Sequence, residues 1–300
     1  DACMASYDET GASGFRYAFV MEAGTYHIYL GEAECGSITL EETKCVKQCE
    51  SVCNPTVDLR SRILERMPEG IPVTGDKGYK FQDVMDGKIT LDTFIAQLSD
   101  EELEALSRGE GGMNSSLGTE GNAGTFGGVI ESLRQKGVRP IVTADGPAGL
   151  RLRKYAALLP CGTALACTWN DALVETLFVQ VGKEMRKYQV DIVLSPGMNI
   201  HRNPLCGRNF EYMSEDPYLV EELVVPMIKG IQEADVAACV KHFAVNNQET
   251  WRNHINVLVS DRALYEIYLP AFKAAIVEGG SWTIMGAYNQ IAGQHACHND

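Results

Sequence analysis

The sequence predicts an α/β fold built on a parallel sheet, and three observations carry that reading. Four short apolar runs, 139–144 (RPIVTA), 191–195 (DIVLS), 238–243 (ACVKHF) and 283–287 (TIMGA), have the length and composition of buried strands. Amphipathic stretches at 170–188, 216–232 and 260–278 alternate with them at helical spacing. Each apolar run is followed by polar residues, and alternating βα units with apolar strands imply a parallel sheet whose ligand side is the carboxyl end of the strands.

The segments read in order as follows. Residues 1–38 are β-rich: 15–20 (FRYAFV) and 25–30 (TYHIYL) flank the turn signal Glu22-Ala23-Gly24. They are expected to form a hairpin, which needs further strands to be stable. Residues 39–126 read as a linker with helices at 92–98 and 100–106. Ser99 is the expected N-cap of the second, with Glu102 completing a capping box. The Gly-, Ser-, Asn- and Thr-rich stretch 107–126 is expected to be a flexible loop. From residue 127 the βα units begin. Thr168 with Asp171 is the expected capping box of the helix at 170–188. Asp216-Pro217 is an N-cap followed by Pro at the first helical position, and Gly279-Gly280 stops the last helix.

The strand ends gather polar side chains. The first run leads to Asp145 and Arg151, and the second to the loop 204–219 (PLCGRNFEYMSEDPYL) with Arg208. The third holds Lys241 and His242, and the fourth leads to Tyr288. A carboxylate accepts from two adjacent hydroxyls, while Lys, His and Arg donate to others, so this set suits a polyol. Within the loop, Glu211, Glu215 and Asp216 read as braces for Arg208 and as a helix cap.

Five segments then carry a family resemblance: TADGPAGLR (143–151), the loop 204–219, VKHFAVNNQE (240–249), SDRALYEIYLPAF (260–272) and IMGAYN (284–289). In this order they resemble glycoside hydrolase family 3, and they span roughly half of the chain. The resemblance implies a (β/α)8 TIM-type barrel. Only four or five units fit before Asp300, short of the eight such a barrel needs, so the barrel is expected to be incomplete at the C-terminus. It implies that residues 1–38 end a fibronectin type III-like domain of a permuted member, with Gly24, Tyr26, Tyr29 and Gly31 in its final hairpin. Residues 39–126 are then the helical linker and 127–300 the first part of the barrel domain. The positions matching the family's terminal-sugar pocket are Asp145, Arg151, Arg208, Lys241, His242 and Tyr288.

The activity implied is that of a β-glucosidase, releasing terminal β-D-glucose with retention, which takes two carboxyl groups. The family's nucleophile lies in a Ser/Thr-Asp-Trp motif. None of Trp169, Trp251 and Trp282 follows an Asp, so nucleophile and acid/base are expected outside this chain, and the chain alone is expected to be inactive. Two alternatives from other classes are a non-catalytic sugar-binding protein and a Schiff-base enzyme using Lys241.

Composition bounds the partners. A net charge of −14 argues against nucleic acid, and no apolar run is long enough to span a membrane. A homo-oligomer is compatible with the sequence. Cys45, Cys49 and Cys53 sit at helical i, i+4, i+8 spacing without a zinc pattern, and Cys161, Cys167, Cys206, Cys239 and Cys297 read as small buried residues. Neither a metal nor a cofactor is implied. Ten cysteines read as reduced thiols point to the cytoplasm.

Overall fold

The computed structural model describes residues 4–53 and 58–298, leaving aside the Leu59 side chain. The chain opens with strands β1 (Ser6–Asp8), β2 (Ala18–Met21), β3 (Gly24–Leu30), β4 (Ala33–Leu40) and β5 (Lys44–Gln48). The expected hairpin is corrected here. β2 lies between β1 and β5, both antiparallel to it, while β3 pairs with β4 in a separate ribbon. Burial explains the choice of partner. β2 carries Ala18, Val20 and Met21, all buried, and reaches a core with Tyr7; β3 is solvated along nearly all of its length. β4 crosses the expected boundary at residue 38, and β5 lies in the stretch read as linker. Tyr7 stacks on Tyr265 at 4.9 Å, and Asp261 accepts the backbone N–H groups of Val52 and Cys53, so this β segment is tied to the barrel helices.

Helices α1 (Leu59–Glu65), α2 (Phe81–Met85), α3 (Leu91–Ile95) and α4 (Asp100–Arg108) follow. The Ser99–Glu102 capping box is formed as expected. The stretch 107–126 is organised rather than loose. Asn122, fully buried, accepts from the N–H groups of Ser115 and Gly124 and donates to the carbonyls of Ser115 and Thr119. That one side chain replaces the missing backbone pairing of a turn-rich segment, and the chain then enters β6 (Gly124–Gly127).

The main sheet joins β6, β7 (Pro140–Asp145), β8 (Ile192–Leu194), β9 (Ala237–Phe243) and, further along, β11 (Thr283–Gly286), in that spatial order. β6 is antiparallel to β7; the other four strands are parallel. Four parallel strands are half the complement of an eight-stranded barrel, and the described residues form no closed one. Helix α5 (Glu131–Gln135) precedes β7. Helices α6 (Gly162–Ala166) and α7 (Asp171–Tyr188) precede β8, and α8 (Pro217–Gln232) precedes β9. A small sheet of β10 (Asn256–Val257), β12 (Gln290–Ile291) and β13 (Gln294–His295) flanks β9 and β11. The last α-helical stretch is α9 (Asp261–Ala263), a π-helical turn Leu264–Tyr268 and α10 (Pro270–Val277).

The core lies between the sheet and these helices: Phe178 and Met185 of α7, Leu223, Met227 and Ile231 of α8, and Phe272 of α10 pack behind Ala144, Val193 and Val240. Helices α7 and α8 touch through glycines. A Cβ on Gly182 would sit 2.5 Å from the Ile231 carbonyl oxygen, so only glycine permits that crossing. Asp216 caps α8 through the Tyr218 N–H with Pro217 behind it, as the sequence predicts. Helix α7 is capped instead by Asn170, which accepts from the Leu173 N–H, while Thr168 turns back to the Leu165 carbonyl. The cysteine reading also changes in part. Cys45 lies in strand β5 and not on a helix; Cys206 and Cys239 are buried, whereas Cys167 and Cys297 are exposed.

Candidate sugar site at the strand ends

Asp145 is the last residue of β7, and its carbonyl accepts the Arg151 N–H at 2.8 Å. The turn between them needs Gly149, at φ +106°, where a Cβ would lie 2.0 Å from the Ala157 carbonyl oxygen. Both basic groups therefore meet one carboxylate. Lys241 Nζ donates to Asp145 Oδ1 at 2.7 Å, and Arg151 approaches Oδ2 at 3.2 Å. Lys241 is only 2% exposed, and a buried ammonium is tolerated only when paired. Burial pushes the Asp145 carboxyl up, but the charges of Lys241 and Arg151 outweigh it and hold it below the ordinary carboxylate value. Engaged in this ion pair, Lys241 is not presented as a free amine, which removes support from the Schiff-base alternative.

A second set begins on the loop after β8. Arg208 pairs with Glu211 and lies 3.8 Å from Glu249. Burial lifts the Glu211 carboxyl above its ordinary value against the pull of Arg208 and Lys241. Glu249 in turn binds Arg252 at 2.9 Å, and the Arg252 guanidinium lies 4.6 Å from the centre of the Tyr288 ring.

His242 lies between the two sets. Its backbone is gripped by Asn199, which accepts from the His242 N–H and donates to its carbonyl. Its Nδ1 lies 3.0 Å from the Tyr212 hydroxyl. Burial, then the charges of Arg208, Lys241 and Arg252, lower its pKa to about 2. The imidazole is neutral at any ordinary pH.

All six residues singled out in the sequence thus meet at one end of the sheet. Sequence reasoning missed Tyr212, Asn246, Glu249 and Arg252, which link them. Three of these, Asn246, Glu249 and Arg252, lie within or just beyond the VKHFAVNNQE segment, three residues apart but outside any helix or strand, so only the segment's order in the resemblance could have flagged them. Among the described residues, no group of three or more His, Cys, Asp or Glu could hold a metal ion, and no helix is long and apolar enough to cross a membrane.

A parallel α/β sheet whose carboxyl ends carry paired acids, guanidinium groups and a neutral histidine is a TIM-barrel-like scaffold with a polar rim. The profile described as "Glycosyl hydrolase family 3 N terminal domain" matches residues 111–300, and the chain belongs to glycoside hydrolase family 3. It is 41% identical to a beta-glucosidase of Ruminococcus albus, over 97% of this chain and 34% of that protein. It superposes with a TM-score of 0.89 on the structure of a beta-glucosidase from Paenibacillus barengoltzii, at 41% identity, over 98% of this chain and 36% of the other. The structure of beta-glucosidase 3B from Thermotoga neapolitana in complex with glucose matches at a TM-score of 0.63 and 41% identity, over 68% of this chain and 30% of that one. The chain spans about a third of the length of these relatives.

Proposed function

We propose that this chain supplies the sugar-binding rim of a retaining glycoside hydrolase that releases terminal β-D-glucose from β-glucosides or short oligosaccharides. The observation that carries the reading is the Asp145 carboxylate, held ionised by Lys241 and Arg151 at a strand end. An ionised carboxylate braced by two cations accepts from two adjacent sugar hydroxyls without moving. Arg208 and His242 add donors, and Tyr288 offers a ring face beside Arg252. The nucleophile and the acid/base are supplied from outside these 300 residues. Free thiols support a reducing, cytoplasmic setting, which fractionation of the producing cells would test. Residues 1–38 are read as the end of a fibronectin type III-like domain, a reading that a structure of the full-length protein would test.

The deciding assay compares the full-length protein with the 300-residue chain on an aryl β-D-glucoside. Turnover by the former and none by the latter is expected. Equal turnover by both would overturn the division of labour, and failure of the full-length protein to bind glucose would overturn the site.

A further inference from the structure

The ion pairs around Glu249 fix the direction of a hydrogen-bond chain that ends on His242. Glu249 lies between Arg208 and Arg252, and its carboxylate oxygens serve as acceptors there. Its Oε1 lies 3.3 Å from the amide nitrogen of Asn246, which fixes which way that amide faces. The same nitrogen donates to the Tyr212 hydroxyl at 3.3 Å. Tyr212 is fully buried, and burial pushes its pKa up, so the hydroxyl keeps its hydrogen. Having accepted from Asn246, it has one acceptor left to serve, His242 Nδ1 at 3.0 Å.

We propose that Tyr212 is a positioning residue that sets the tautomer of His242, so that Nδ1 accepts and the single ring hydrogen sits on Nε2. The competing arrangement places the hydrogen on Nδ1, donating to Asn199 Oδ1 at 3.2 Å. That oxygen already accepts the His242 backbone N–H at 2.9 Å, and the Tyr212 hydrogen would then have no acceptor in a buried site, which is costly. The Nε2 atom has no partner among the described residues. It is therefore the ring's remaining donor, which would donate to a sugar oxygen, a role that rests on the function proposed above. The imidazole binds and orients; it does not carry a catalytic proton.

Neutron diffraction from deuterated crystals of the full-length, sugar-free protein reads the ring deuteron directly. A deuteron on Nε2 with Nδ1 bare is expected, and one on Nδ1 overturns the proposal. This readout needs no sugar, so its failure is distinct from failure of the glucosidase reading. In the full-length protein, Tyr212→Phe removes the hydroxyl and keeps the ring. It is expected to raise KM for the glucoside about tenfold, the equivalent of one lost donor of about 1.4 kcal/mol, with a smaller change in kcat. The deuteron of the variant should shift to Nδ1, toward Asn199. An unchanged Nε2 deuteron in a folded Tyr212→Phe protein would also overturn the assignment.

Discussion

Lys136 and Lys241 each meet a carboxylate at 2.7 Å, Glu102 in the first case and Asp145 in the second. Both lysines are buried or nearly so, and both acids lie below their ordinary value because burial, which would raise them, is outweighed by the lysine together with Ser99 and Ser132 at Glu102, and with Arg151 and the Gly146 N–H at Asp145. The difference lies in what else each acid does. Glu102 spends its second oxygen on the Ser99 N–H and its side chain is 4% exposed. Lys136 spends its remaining capacity on Asp76 at 3.1 Å. That pair is closed and fastens α4 to the end of α5. Asp145 is 25% exposed, and its outer partner Arg151 is mostly in solvent. The same chemistry is available for the proposed sugar binding where the fold leaves lone pairs facing out at a strand end.

The comparison breaks most clearly on activity. Asp145→Ala in the full-length protein is expected to lower kcat/KM on an aryl β-glucoside by on the order of 10³, about 4 kcal/mol. Glu102→Gln is expected to leave kcat/KM unchanged while lowering unfolding stability by about 1–3 kcal/mol, because Lys136 loses its charged partner in a buried place. Steady-state kinetics and denaturant unfolding of both variants supply the four values. Equal losses of activity in the two would show that the closed and the open pair do not differ in kind.

Much of this contrast was legible in the sequence and part of it was not. Asp145, Lys241 and His242 stand at the ends of short apolar runs, where strand polarity alone directs them to one rim. Ser99 and Glu102 carry a local spacing rule. The Lys136–Glu102 pair spans 34 positions and joins two helices whose packing no local pattern reveals. The same limit explains β2. Its nearest sequence neighbour, β3, lost to β1 and β5, because pairing followed the demand of Ala18, Val20 and Met21 for a shared core with Tyr7 and Tyr265. Arg252 was invisible for a related reason: its role comes from Glu249 and Tyr288, the latter far along the chain.

Acid sharpens the rim side of the comparison. His242 is held neutral with a pKa near 2 in the fold against an ordinary 6.5. Below pH 6.5 the unfolded chain takes up a proton that the folded chain refuses, so stability falls on acidification. The loss should be roughly 1.4 kcal/mol per pH unit below about 6.5. Asp145 has the depressed value usual for a paired acid, so its contribution is intact above about pH 4 and is lost only as pH falls through its folded value. Between about pH 6 and 4.5 the two separate. Glu211, raised by burial, contributes the opposite sign in both proteins, so urea unfolding across that window should show His242→Gln losing less stability on acidification than the native protein, by about one proton in slope. An identical slope in both would mean that His242 is protonated in the folded state.

The smallest expected effect tests the closed pair through its other arm. Ser99 Oγ accepts from the Glu102 N–H, while Glu102 returns a carboxylate oxygen to the Ser99 N–H. Ser99→Ala removes only the first of these bonds and should cost about 1 kcal/mol of unfolding stability. If Lys136 and the cap hold Glu102 jointly, the double variant Ser99→Ala, Glu102→Gln should cost less than the sum of the singles, by a coupling of at least about 0.5 kcal/mol. Strict additivity would instead mean that Lys136 alone fixes Glu102, and that the cap is incidental to the pair.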